Sequence, residues 1–153
     1  MKTIASFEVD HTKLKEGIYL SRIDRDVVTY DLRFVIPNNP ENVYMENAAM
    51  HTIEHLFAVH RNGKYGGNII YFGPMGCRTG FSLLTSGLSH SDAIVLIKET
   101  VRFIADYDGK IPGTEPKECG NYREHDLAGA KKLCADYYEK IKDWTGDKLA
   151  YTK

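Results

Sequence analysis

At 153 residues the chain suits one domain, residues 1–153, long enough to bury about two-thirds of its unfolded surface around a single core, and a second domain is not expected. Lys and Arg total 20 against 21 Asp and Glu, a net charge of −1, and the absence of any basic cluster that could track phosphates argues against nucleic acid and membrane surfaces as partners. The N-terminal Met1–Glu8 lacks an apolar core before a cleavage site, no uncharged apolar run reaches about 18 residues, and the three cysteines are widely spaced, so a cytosolic protein without a disulfide framework is expected.

In chain order, Ile18–Ser21 and Val27–Ile36 are β-rich runs joined through Arg25-Asp26. The second alternates, which predicts a half-buried antiparallel pair with Val28, Tyr30, Leu32, Phe34 and Ile36 on the buried face and Asp31 and Arg33 in solvent. Pro37 ends the strand, and residues 38–42, Asn-Asn-Pro-Glu-Asn, read as a turn-rich loop. A helix is expected over Tyr44–Arg61, with Gly63 as a left-handed stop. Its apolar residues, Ala48 to Met50, Ile53 and Leu56 to Val59, surround it almost completely and predict a buried element.

That helix carries His51-Thr52-Ile53-Glu54-His55. At helical spacing His51 and His55 stand one turn apart with Glu54 beside them, so two imidazoles and a carboxylate share a face. Such a pair is often only a polar surface. On a buried helix, however, the same groups need partners, which a divalent ion such as Zn²⁺ or Fe²⁺ supplies.

A short strand, Asn68–Phe72, precedes the turn Gly73-Pro74-Met75-Gly76-Cys77-Arg78-Thr79-Gly80, which opens into a strand at Phe81–Ser86. The glycines let the backbone approach a ligand and leave the Cys77 thiol open to it, although an ordinary hairpin with an incidental cysteine reads the same way. The lysine and following helix of a phosphate loop are missing. Ser89 with Asp92 caps a packing helix that buries Ile94, Ile97, Val101 and Ile104, ends at Asp108-Gly109, and keeps Lys98, Glu99 and Arg102 solvated. After a loop at Ile111–Gly120 carrying Cys119, a third helix is expected from a cap at Asn121 and Glu124, with Leu127, Ala130, Leu133, Tyr137 and Ile141 inward and Cys134 as a buried hydrophobe. The order ββ-α-ββ-α-α predicts an α+β domain with helices on an antiparallel sheet. A catalytic ion of this kind takes three protein ligands, and spacing alone leaves Cys119 and Cys77 both open for the third.

Six blocks, in order, resemble the LuxS family of S-ribosylhomocysteine lyases: Ser6–His11, Asp31–Phe34 with Pro37-Asn38, His51–Leu56, Pro74–Gly80, Cys119-Gly120 and His125–Leu127. The resemblance implies an α+β sandwich of the metallohydrolase-like type. It also implies His51, His55 and Cys119 as ligands of one divalent metal per subunit, Fe²⁺ with Zn²⁺ or Co²⁺ as substitutes. Glu54 and Cys77 are the implied acid/base residues, and Ser6, His11 and Arg33 the implied substrate-binding residues, in a homodimer whose sites lie between subunits.

The implied reaction moves the carbonyl of S-ribosylhomocysteine from C1 to C3 and breaks the C–S bond by β-elimination, with the metal as Lewis acid. Its products are L-homocysteine and 4,5-dihydroxy-2,3-pentanedione, precursor of the autoinducer-2 quorum-sensing signal. Two positions depart from the family pattern: Tyr71 stands where an acidic residue is frequent, and Val35 where a cysteine is frequent. The competing readings are a small zinc peptidase built on His-x-x-Glu-His, whose third ligand is commonly a carboxylate, and a metal-binding domain without catalysis.

Overall fold

The computed structural model describes residues 5–60 and 63–151, without the side chains of Ala5 and Ser6. A short helix α1 (Ala5–Glu8) is followed by strands β1 (Gly17–Asp24) and β2 (Val27–Arg33), helix α2 (Asn47–His60), strands β3 (Ile69–Pro74) and β4 (Gly80–Ser86), and helices α3 (His90–Ala105) and α4 (Leu127–Ile141). The strands form one antiparallel sheet in the order β1-β2-β4-β3. This is the expected α+β arrangement.

In an antiparallel ladder directly opposed residues share a face. Tyr30 lies opposite Leu83, and Leu32 opposite Ile18 and Phe81. These bury against Ile53, Leu56 and Phe57 of α2, Ile97, Val101 and Ile104 of α3, and Tyr137 and Ile141 of α4. Each such side chain contributes about 1.5–3 kcal/mol through burial. Cys134 is among them, fully buried as expected, and burial pushes its thiol up.

β2 ends at Arg33, short of Ile36, because the N–H groups of both Phe34 and Val35 donate to the Thr79 carbonyl at 2.9 and 3.0 Å and leave the ladder. Ile36 is exposed. α2 starts at Asn47, later than Tyr44, and it is not buried all round: Met50, Ile53, Leu56 and Phe57 face the core, while Ala58 and Val59 are exposed. Its expected end at Arg61 lies outside the described residues. So does the chain entering Gly63, whose N–H donates to the His60 carbonyl at 2.9 Å. Ser89 caps α3 as expected, accepting from Asp92 N, but the helix stops at Ala105, where Asp106 takes over the Arg102 side chain. α4 starts at Leu127, capped by Asp126 accepting from Gly129 N at 2.9 Å, rather than by Asn121 and Glu124.

Asp31 and Arg33 correct the sequence expectation most. They face away from the helices yet are only 3% and 4% exposed, because the C-terminal segment crosses this side of the sheet. Leu20 N donates to Leu149 O at 2.8 Å, and Tyr151 stacks on Tyr19 with ring centroids 5.0 Å apart. Opposite Arg33 the ladder requires a glycine, since a Cβ at Gly80 would lie 2.4 Å from the Leu32 carbonyl oxygen. Among the described residues no helix is long and apolar enough to cross a membrane.

Candidate metal and acid/base site

α2 brings His51 and His55 to one side, and the chain before α4 folds against them. One ligand atom from each of His51, His55, Cys119 and His125 lies within 4.8 Å of every other. The His51 ring is edge-on to His55, with centroids 4.6 Å apart, and Cys119 Sγ is 3.3 Å from His51 Nε2. Among the described residues no carboxylate belongs to this cluster, which departs from the ligand set expected of a peptidase.

Backbone oxygens fix the rings. His51 Nδ1–H donates to the Glu124 carbonyl and His55 Nδ1–H to the Pro112 carbonyl, both at 2.8 Å. With Nδ1 carrying the proton, Nε2 is the lone pair each ring has left, the arrangement that orients a metal-binding imidazole. The loop supplying the Pro112 carbonyl needs Gly113, which has φ +71° and whose Cβ, if added, would meet His55 Nδ1 at 2.9 Å. Cys119 Sγ accepts from Asn121 N–H at 3.4 Å. Two imidazole nitrogens and a sulfur at this separation suit a borderline-soft divalent ion, and the residues fit the metal the resemblance implied.

His125 was not among the expected ligands. Its Nδ1 pairs with Thr52 Oγ1 at 3.0 Å, and its Nε2 is buried without a partner. Burial and the neighbouring His51 and His55 hold its pKa down to about 4. The signal for it was the His125–Leu127 block of the resemblance, which carried no role because nothing in the local spacing ties His125 to Thr52.

Cys77 opens elsewhere. It is exposed on the turn between β3 and β4, beside a cavity of about 430 Å³ lined also by Phe7, His11, Asp31, Arg33 and Tyr151. Arg33 is held by Asp31 through Nε at 3.1 Å and Nη2 at 2.6 Å, while its Nη1 donates to Thr79 Oγ1 at 2.8 Å and points at Cys77 Sγ, 3.9 Å away. Thr79 Oγ1 in turn lies 3.0 Å from the Cys77 sulfur. His11 Nδ1–H donates to the Val9 carbonyl, leaving Nε2 for a ligand. Ser6 has no described side chain.

Glu54 and His55 line a different cavity of about 540 Å³, between α2 and β3, which among the described residues shares no lining residue with that of Cys77. Thus His51, His55 and Cys119 come together, and so do Cys77, Arg33 and His11, while Glu54 and Cys77 line separate cavities.

The model of the S-ribosylhomocysteinase (LuxS) family matches residues 4–148. A protein of Phocaeicola vulgatus named S-ribosylhomocysteine lyase is 46% identical over 159 aligned positions, covering 99% of this chain and 98% of that one. Relatives of the same name from Finegoldia magna and Clostridium acetobutylicum are 44% and 41% identical, each with 99% of both chains covered. The chain belongs to the LuxS family.

The carbon–sulfur lyase class expected from the sequence is the one these LuxS relatives carry by name. Against the LuxS pattern, Tyr71 is exposed on β3 beside the Glu54 cavity, its hydroxyl lying over Gly73, and Val35 donates its N–H to Thr79. Neither departure displaces a metal-cluster residue or Cys77.

Proposed function

We propose that this LuxS protein cleaves S-ribosyl-L-homocysteine to L-homocysteine and 4,5-dihydroxy-2,3-pentanedione, the autoinducer-2 precursor, by carbonyl migration and β-elimination. The single observation that carries the reading is the joint presence of the His51-His55-Cys119 cluster and a glycine-flanked, exposed Cys77 beside a buried arginine, in a chain of this family. His51, His55 and Cys119 hold one divalent ion, Fe²⁺ in preference to Zn²⁺ or Co²⁺. When bound, the ion supplies Lewis-acid polarisation of the carbonyl and hydroxyl oxygens.

Proton transfer belongs to the chain. Each carbonyl shift removes a proton from one carbon and returns one to its neighbour, and the elimination removes a further one. Glu54, which no described residue pairs, and Cys77, open to its cavity, are the two groups free to do so. Arg33 spends its charge on Asp31, so its part is to hold Thr79 and the Cys77 sulfur in place, while His11 and Ser6 contact the substrate.

A homodimer completes the site. The Glu54 half and the Cys77 half open into separate cavities, each bordered by exposed apolar residues: Tyr71 (55%) and Ile70 (48%) at one, Phe7 (75%) at the other. Under twofold symmetry the Cys77 half of one copy meets the Glu54 half of the next, and two equal sites form while these surfaces leave water. With this reading goes a cytoplasmic location, in keeping with the widely spaced cysteines.

The test is thiol release from S-ribosylhomocysteine by metal-loaded protein. Release of one thiol per substrate, lost in Cys77→Ala with metal content retained, is expected. A wild-type protein that holds metal and releases no thiol overturns the reading, and an active Cys77→Ala removes Cys77 from it.

A further inference from the structure

His125 is the one cluster residue that the proposed ligand set leaves without a task. Its ring lies flat on His51, with centroids 4.1 Å apart and planes 21° apart, and meets His55 edge-on, with centroids 4.7 Å apart. A ligand's lone pair lies in the ring plane, so two ligands of one ion must aim their planes inward from separate directions. His51 and His55, nearly perpendicular, do this. Two nearly parallel rings 4.1 Å apart cannot both hold one ion in their planes, so His125 would stand beside an ion bound by His51 and His55 rather than ligate it.

Thr52, the second residue of the His51–His55 run, sets what that nitrogen can do. Its hydroxyl donates to the Ala48 carbonyl at 3.1 Å and its oxygen accepts from Asp126 N–H at 2.9 Å. With its single hydrogen used, Thr52 Oγ1 faces His125 Nδ1 at 3.0 Å as an acceptor, so Nδ1 carries the proton. The opposite tautomer would bury an unpaired N–H at Nε2 in a cluster built for a cation, a costly arrangement. Nε2 is thus a buried lone pair with no protein partner, beside the place where three protein ligands would leave one position of a bound ion open.

We infer that His125 Nε2 is the hydrogen-bond acceptor for a hydroxyl that enters this open position, and that Thr52 is the positioning residue that keeps it an acceptor. The ligand class is a vicinal hydroxy-carbonyl: its hydroxyl donates to His125 while its oxygens face the ion. The inference rests on the lyase reading for its substrate. It distinguishes hydroxyl-bearing sugars from analogues in which that oxygen is a bare carbonyl or an ether, because only the former have a proton to donate.

Cobalt(II)-loaded protein tests this in the Cys77→Ala background, where substrate is not consumed. His125→Ala is expected to bind one equivalent of cobalt with visible bands of unchanged position and intensity, since the shell is intact. The same variant is expected to lose about tenfold in S-ribosylhomocysteine affinity, read as the substrate-induced change in those bands. Thr52→Val is expected to reproduce the loss, and Thr52→Ser, which keeps the hydroxyl, to restore affinity. Altered resting bands or lost cobalt in His125→Ala make it a ligand and overturn the inference, as does unchanged substrate affinity. If the Cys77→Ala protein with His125 intact shows no response to S-ribosylhomocysteine, the lyase reading itself falls and this inference falls with it.

Discussion

The Tyr151 hydroxyl donates a 2.7 Å hydrogen bond to Oδ2 of Asp31, joining the last described residue to the second strand across 120 positions. That oxygen also takes Nη2 of Arg33, so one buried carboxylate holds a phenol and a guanidinium together, and the guanidinium in turn faces Cys77. Burial and the nearby Asp31 push the phenol's pKa up, which keeps Tyr151 a donor. Tyr151→Phe is expected to cost about 1–2 kcal/mol by leaving part of a buried carboxylate unpaired. Asp31→Ala is expected to cost about 3–5 kcal/mol, because it strands the Arg33 charge. Denaturant midpoints measure both, and equal midpoints for the two variants would contradict the network.

The His/Cys cluster depends on a glycine outside the motif. Gly113→Ala imposes a left-handed φ on a residue with a Cβ, at about 1–2 kcal/mol, and drives that Cβ into the ring whose Nδ1–H the Pro112 carbonyl accepts. Metal affinity is expected to fall about 10- to 100-fold, as when a ligand's orienting partner is lost, whereas Cys119→Ala is expected to strip the metal altogether. Metal content after dialysis against a graded chelator orders the variants, and full retention in Cys119→Ala would remove the thiol from the ligand set.

Local pattern carried much of this architecture, and the failures share a cause. The alternation Tyr30-Leu32-Phe34 identified the helix-facing side of β2, and the Ser89 cap and the His51–His55 spacing are both local. Asp31 and Arg33 looked solvated because the residue that covers them, Tyr151, is remote in sequence. His125 was visible only as part of a motif, since its partner Thr52 lies 73 positions away. The start of α4 moved from Asn121 to Asp126 because the site holds this stretch in place: Glu124 gives its carbonyl to His51, and Asn121 its N–H to Cys119. A cap chosen from residue type alone cannot see those bonds.

Alkali is expected to destabilise the fold through its phenols. Burial lifts Tyr30 from 10.0 to about 12, and burial also raises Tyr19 and Tyr137. A group whose pKa is higher folded than unfolded contributes stability that is complete below the unfolded value and is lost as pH rises through the folded one. Stability is therefore expected to fall between pH 10.0 and about 12, with Tyr30→Phe flattening its share. Absorbance of ionised phenol near 295 nm during a pH titration checks this: these tyrosines should ionise together with unfolding, and early ionisation in a folded protein would contradict their burial.

The division of Glu54 and Cys77 between two cavities gives the dimer proposal a sharp consequence. Suppose each site takes Glu54 from one copy and Cys77 from the other. Glu54→Gln homodimers and Cys77→Ala homodimers then have two broken sites each and release no thiol. A mixed dimer has one site with both substitutions and one with neither, so that second site is fully equipped. Random exchange makes about half of the dimers mixed, and the mixture should recover about a quarter of wild-type activity. If both residues of a site come from the same chain, every site in every combination lacks one group and mixing restores nothing. Unfolding and refolding the two variants together, then assaying thiol release against each alone, separates the two outcomes. Exposed Tyr71 and Ile70 supply the control: Ile70→Glu, on the surface that the second copy covers, should yield a monomer that keeps its metal and loses this activity.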